Sequence, residues 1–182
     1  MADQDQGVQI EIDIKGMEKF RKKLRRGGLA SGPVKDMYTQ WAARLRGYWK
    51  EQFDTNSKGG GTWDGLSEKT NARRKAGKDG NKTGSILRDT GTLMRAISPR
   101  VPGAPGKHTL RGRNGIEIGY GGNDVHPNVN ATIAQVALWH QTGAGNNPVR
   151  EIIVNPDKRT LEGMQSDTDR ALDKLSKQTG NQ

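Results

Sequence analysis

The order of apolar and polar residues predicts a strand and then a helix at the start of the chain. Residues 8–14 carry Val or Ile at every second position, a period that predicts a half-buried strand. Met17, Phe20 and Leu24 follow at helical spacing, so a short helix is predicted that ends before Gly27.

A much longer apolar pattern occupies residues 33–54. Ser31 is suited to cap a helix and Pro33 to its first turn, so a long helix is predicted to about Asp54. Its apolar positions recur every three or four residues and are Val34, Met37, Tyr38, Trp41, Ala42, Leu45, Tyr48, Trp49 and Phe53. We interpret the aromatic residues of this helix as core packing against a sheet, in preference to a stacking platform for nucleic-acid bases.

Two polar stretches, residues 56–84 and 99–113, are predicted to be long loops, the second as an extended hairpin or a mobile arm flanked by weak strands. The first contains Trp63, which we expect to anchor the loop onto the body of the protein or onto a neighbour, because a large aromatic side chain is rarely left in water. A helical turn between Leu66 and Lys75, capped by Ser67, is predicted within this loop.

The segment between the two loops is predicted to form a short helix. Asp89 or Thr90 is expected to cap it, and Leu93, Ala96 and Ile97 are expected to face inward.

The second half of the chain predicts an alternation of strands and helices. The pattern favours a strand over residues 115–120, a helix over 131–141, a strand over 150–154 and a last helix over 157–177. The fold class predicted is α+β, with a small twisted antiparallel or mixed sheet packed on two or three helices. Length favours one domain, 1–182, with residues 1–7 and 178–182 as mobile tails.

Positive charge is concentrated in the middle of the chain. The net charge is +10, and residues 56–113 hold 13 Lys and Arg against 4 Asp and Glu. Such an excess favours a surface that faces DNA or an acidic protein partner. The candidate contact residues are Arg73, Arg74, Lys75, Lys78, Lys82, Arg111 and Arg113. No motif for reading bases is present, so contact with DNA is expected to be nonspecific and salt-dependent.

Other function classes receive little support from the composition. Hydrophobic residues are 31% of the chain, which predicts a modest core that partner subunits supplement. No apolar run is long enough for a membrane span, the acidic N-terminus does not suit a secretory signal, and cysteine is absent.

An enzyme is not predicted. Asp89-Thr90-Gly91 matches the aspartic-protease triplet, but only one copy is present and Arg88 precedes it where an apolar strand is expected. Residues 77–83 depart from a phosphate-binding loop, and the three His are scattered. We therefore expect no catalytic residue, no metal site and no cofactor.

Six short motifs occur in order between residues 33 and 165. They are the Trp63, Leu66, Ser67 and Thr70 loop with its basic end Arg74-Lys75; Ile86-Leu87; Thr90-Gly91-Thr92-Leu93, closed by Ile97; Ile118-Gly119; His140-Gln141-Thr142-Gly143; and Pro148-Val149-Arg150. In this order the motifs resemble the phage virion morphogenesis, or tail completion, proteins of tailed bacteriophages. Glu151-Ile152 departs from the family, which usually has an aromatic residue and Leu there.

The resemblance implies a structural virion protein that completes the tail or forms the neck ring joining tail to head. It implies an α+β subunit of a ring around the DNA channel, with a hexamer expected and a dodecamer as the alternative. The implied partners are head–tail connector and tail tube or sheath proteins, with nonspecific contact to genomic DNA in the lumen. Assembly is expected in the bacterial cytoplasm. The alternative function is a nonspecific DNA-binding protein acting during virion assembly or packaging.

The resemblance also assigns docking roles to particular positions. The residues implied in subunit or loop docking are Trp63, Leu66, Thr70, Thr90, Gly91, Leu93, His140, Gln141, Gly143, Pro148 and Arg150.

Overall fold

The computed structural model describes residues 32–56, 61–76, 85–111 and 115–179. Their regular elements are the helices α1 (Gly32–Asn56), α2 (Glu68–Lys75), α3 (Thr92–Ile97), α4 (Ile133–Thr142) and α5 (Lys158–Thr179), a 3-10 turn (Ala144–Asn146), and the strands β1 (Lys107–Arg111) and β2 (Ile116–Tyr120). The two strands pair in an antiparallel sheet. The predicted α+β class is confirmed. The strand and helix predicted before residue 27 lie outside the described residues.

Contacts between residues group the chain into two compact units. Within the described residues, the first unit comprises Arg46–His108 and Gly119–Val154. The second unit comprises residues 32–45, Thr109–Ile118 and residues 155–179. Sequence length alone favours one domain, whereas the contacts show a chain that enters each unit more than once. Helix α1 contributes its first half to the second unit and its second half to the first.

In the second unit, α5 packs against the first half of α1. The Trp41 indole Nε1 donates a hydrogen bond to the Met164 carbonyl at 3.0 Å, and both side chains are buried. Arg44 donates from Nε to the Asp167 carboxylate at 2.7 Å, and Arg170 donates to the other oxygen at 2.5 Å. Because Asp167 is 4% exposed, these two cations compensate a charge that burial would otherwise make costly.

The core of the first unit forms around the second half of α1. Phe53 and Ile97 are completely buried there, together with Ile152. The Trp63 ring meets Phe53 edge to face, with ring centroids 5.3 Å apart, a geometry that aromatic pairs prefer. The apolar face predicted for α1 is therefore the face that builds this core.

Helix starts agree with the sequence in two places and differ in a third. Ser67 caps α2 by accepting the Thr70 N–H, as predicted. Thr132 caps α4 in a reciprocal capping box with Gln135. The prediction that Asp89 or Thr90 is the N-cap residue of α3 is wrong. Gly91 occupies that position with φ of 68°, and the Thr90 hydroxyl accepts the Thr92 N–H from one residue earlier.

The two predicted loops contain regular structure. Helix α2 lies within residues 56–84, and β1 occupies the end of the stretch predicted as a loop over residues 99–113. Strand β1 begins where Lys107 fixes the preceding turn, because its ammonium donates to the carbonyls of Ser98 at 2.7 Å and Val101 at 2.6 Å. Within the described residues, no helix is long and apolar enough to cross a membrane.

Replacement of Phe53 by alanine should destabilise the first unit strongly. The substitution leaves a cavity in a fully buried site and removes the ring contact with Trp63. We expect the free energy of unfolding, measured by urea denaturation, to fall by about 3–5 kcal/mol. The control Glu51→Ala, at an exposed position of the same helix, should change it by less than about 0.5 kcal/mol. A small effect of Phe53→Ala would contradict the assigned core.

Candidate docking site

An open cleft of about 1240 Å³ lies in the first unit. Segments that are far apart in sequence form it: the loop before α2, the turn before α3, the segment around His126, one face of α4 and the chain around Pro148. Seven of the eleven predicted docking residues line the cleft, namely Leu66, Thr70, Thr90, Leu93, His140, Pro148 and Arg150. Arg73 and Arg74 of the predicted basic set also line it.

Arg150 holds the loop that forms one wall of the cleft. Its Nε donates to the Asp64 carbonyl at 3.2 Å, and its Nη2 donates to the same oxygen at 3.1 Å and to the Gly65 carbonyl at 3.2 Å. Only 6% of Arg150 is exposed. Burial lowers its pKa, and the nearby Asp64 acts in the opposite direction. A guanidinium stays charged even when it is buried. The Nε and Nη2 donors of its planar fork therefore hold both carbonyls in place.

Trp63 anchors this loop from the other side. Its indole Nε1 donates to the Glu151 carbonyl at 3.0 Å, and the ring is 5% exposed. At the base of the loop, the Thr62 N–H donates to the Asn56 side chain at 2.7 Å. Trp63 therefore lies in the core of its own unit and does not line the cleft.

Gln141 organises the segment that carries Arg150. Its side-chain oxygen accepts the N–H groups of Ile152 at 2.8 Å and Ile153 at 3.0 Å, and its amide donates to the Ile153 carbonyl at 2.7 Å. The Trp49 indole donates to the Val154 carbonyl at 2.8 Å. The predicted strand over residues 150–154 is wrong because these side chains supply the hydrogen bonds that a neighbouring strand would provide.

Two glycines among the predicted docking residues set backbone geometry outside the cleft. Gly143 ends α4 with φ of 75°, a conformation that favours glycine. A side chain there would also come within 2.9 Å of Val149. This sharp turn brings the chain back so that the Arg150 N–H donates to the His140 carbonyl at 2.7 Å. Gly91 acts similarly at the start of α3.

An imperfect ion pair between Arg74 and Asp89 lies along the cleft. Arg74 is 7% exposed and donates from Nη1 to the Ser85 carbonyl at 2.5 Å. Its Nε lies 3.5 Å from Asp89 Oδ1, and both of these buried atoms lack a hydrogen-bond partner among the described residues. The other Asp89 oxygen accepts a long bond of 3.4 Å from Asn128.

His140 is a neutral imidazole at neutral pH. Burial lowers its pKa to about 4, and the positive charges of Arg150 and His126 act in the same direction. Its Nδ1 is buried without a hydrogen-bond partner in the described structure. His126 also lines the cleft, with its Nε2 at 3.4 Å from the Thr90 hydroxyl, and burial lowers its pKa as well.

The structure describes four residues of the predicted basic set, Arg73, Arg74, Lys75 and Arg111. Arg73 and Lys75 are exposed on α2, whereas Arg74 between them is buried. Arg111 ends β1 in the second unit. Lys78, Lys82 and Arg113 lie outside the described residues.

The sequence motifs did not indicate several residues that line the cleft. Val136 and Trp139 lie on α4 close to His140, and their helical spacing was the available signal. His126, Asn128 and Val129 come from an irregular segment that carries no periodic pattern.

Comparisons with protein-family profiles, with curated proteins and with solved structures find no match to this chain. Among the described residues, no group of three His, Asp or Glu side chains is arranged to hold a metal ion.

Replacement of Arg150 by lysine should loosen the loop that carries Trp63. Lysine keeps the charge but cannot reproduce the fork that holds two carbonyls. We expect the Trp63 indole N–H to exchange with solvent about 30-fold faster, which corresponds to a loss of about 2 kcal/mol of local stability. Hydrogen exchange followed by NMR measures this rate. The exposed control Arg100→Lys should leave it unchanged, and unchanged exchange in Arg150→Lys would contradict the assignment.

The depressed pKa of His140 predicts a loss of stability in acid. The unfolded chain binds a proton as pH falls through about 6.5, whereas the folded chain binds it only near pH 4. Stability is therefore complete above pH 6.5 and is lost between pH 6.5 and 4. His140→Gln removes this linkage while His126 remains. Between pH 7 and 4.5 the wild type should lose about 1–2 kcal/mol more than the variant in urea unfolding, after allowance for partial solvent access. Equal losses would contradict this account.

Proposed function

We propose that this protein is a structural virion protein of a tailed phage, and that the cleft of its first unit docks a neighbouring protein subunit. The observation that carries the proposal is the convergence of separate sequence motifs. Motif residues between Leu66 and Arg150 line one cleft, and those that do not line it, such as Trp63 and Gln141, fix the backbone that forms its walls.

The size and shape of the cleft support a polypeptide ligand. Pockets for small molecules usually measure about 300–1,000 Å³, whereas this cleft measures about 1240 Å³ and is open to solvent. Its lining mixes apolar residues such as Leu93 and Val136 with charged ones such as Arg73. Protein–protein interfaces combine apolar anchors with a polar rim in this way.

The roles of the polar residues also favour docking over chemistry. Arg150 uses its fork on two backbone carbonyls, and Arg74 is occupied by Ser85 and Asp89. These contacts give the cleft a fixed shape before a partner arrives. A preformed surface loses less entropy on binding than a mobile one.

In this proposal the protein completes the tail or forms the neck ring between tail and head. The ring is a hexamer, with a dodecamer as the alternative, and its neighbours are head–tail connector and tail tube or sheath proteins. The proposal combines the order of the six motifs with the convergence of five of them, all but Ile118-Gly119, at the cleft.

The nonspecific DNA-binding alternative has weaker support in the described residues. Exposed Arg73 and Lys75 are placed to reach a phosphate, but Arg74 between them is buried and donates to the Ser85 carbonyl. Two exposed cations neutralise few phosphates, and nonspecific affinity rises with the number of phosphates neutralised.

Electron microscopy and light scattering of the full chain test the proposed function. We expect a concentration-dependent closed ring and the presence of the protein in purified virions. A chain that stays monomeric at every concentration and is absent from virions would contradict the proposal. Salt-dependent binding of a short DNA duplex by such a monomer, lost in Arg73→Ala/Lys75→Ala, would instead establish the alternative.

A further inference from the structure

The cleft contains buried polar atoms that make no hydrogen bond. Arg74 Nε, a donor, and Asp89 Oδ1, an acceptor, lie 3.5 Å apart as an ion pair, but neither makes a hydrogen bond within the described residues. His140 Nδ1, close to Arg150, is also without a partner there. A buried polar group without a hydrogen bond destabilises the folded protein. A ligand that both accepts and donates hydrogen bonds would therefore be stabilised in this cleft.

An extended polypeptide main chain has this property, because its N–H and C=O groups alternate along both edges. Its side chains also alternate, so one set faces the apolar wall formed by Leu66, Leu93 and Val136, while the other set faces the rim. Exposed Arg73 gives that rim positive charge. The cleft therefore fits an extended segment with apolar residues at every second position and carboxylates between them.

The chain itself contains a segment of this composition. Residues 3–14 carry four carboxylates, Asp3, Asp5, Glu11 and Asp13, and the first Lys or Arg of the sequence is Lys15. Val or Ile occupies every second position from residue 8 to residue 14. These residues lie outside the described structure, and only their sequence enters the argument.

We propose that residues 3–14 of one copy bind in the cleft of a second copy, with their carboxylates at the Arg73 rim and their Val and Ile side chains against the apolar wall. The inference rests on the proposed function of the cleft as a docking site. Residues 15–31 can span at most about 60 Å, about twice the diameter of a small domain. A contact between two different surfaces, repeated from copy to copy, forms a ring when the rotation between copies closes and an open filament when it does not.

A charge-reversal experiment in the full chain tests the pairing. Arg73→Glu and the double variant Glu11→Lys/Asp13→Lys should each raise the concentration needed for assembly about tenfold, measured by light scattering, because each places like charges together. Combining all three substitutions should restore assembly to within about threefold of the wild type. Lys75→Glu is the matched control, since it makes the same change on α2 at a position that does not line the cleft. Additive losses in the combined variant would overturn the proposal.

A photo-cross-linking experiment distinguishes the two copies. Val129 lines the cleft and is 42% exposed, so p-benzoylphenylalanine at this position should be tolerated. A nitrogen-15-labelled copy carrying it is mixed with an unlabelled wild-type copy and irradiated. We expect the labelled peptide to be joined to the unlabelled tryptic peptide of residues 1–15. Cross-links only within one copy, or only to other segments, would overturn the proposal.

The two proposals fail in different ways. If the wild-type chain forms rings but its cross-links and charge reversals do not involve residues 3–14, the segment inference is wrong and the proposed function stands. If the chain neither assembles nor occurs in virions, the proposed function falls and the inference falls with it.

Discussion

The first unit depends on how the backbone of residues 151–154 is hydrogen-bonded. Within the described residues no strand pairs with this segment. The Gln141 side chain therefore supplies hydrogen bonds that a neighbouring strand would make. Its oxygen accepts two backbone N–H groups of the segment, and its nitrogen donates to one backbone carbonyl. The indole N–H groups of Trp49 and Trp63 donate to the carbonyls of Val154 and Glu151. A buried backbone left without these bonds would be costly, so these three side chains fix the path of the chain.

That path determines the shape of the cleft. With the segment fixed, Arg150 reaches the carbonyls of Asp64 and Gly65 and sets the position of the loop opposite. The loop is held twice, by Arg150 on its cleft side and by Trp63 in the core. Trp63 and Gln141 support the walls without lining the cleft, and Arg150 does both, so a partner can meet a surface that is already in place.

Periodicity predicted the helices well because they bury one face. The apolar repeat ending at Phe53 gives α1, and the residues around Val136 give α4. The strand predicted over residues 150–154 failed because its alternation does not reveal that a side chain, Gln141, satisfies the backbone. Motif order indicated much of the cleft, including His140. The sequence predicted that Trp63 anchors its loop but left open whether on the body of the protein or on a neighbour, because its contacts with Phe53 and Glu151 are brought together only by the fold.

The long-range bonds of the tryptophans also order events during synthesis. Trp63 and its acceptor at Glu151 are 88 residues apart, and Trp49 and its acceptor at Val154 are 105 apart. A ribosome adds about 5–20 residues per second, so the wall formed by the Trp63 loop waits roughly 5–20 s for its anchor. Nascent chains consequently have no completed cleft until most of the protein has been made. This delay separates translation from any association through the cleft.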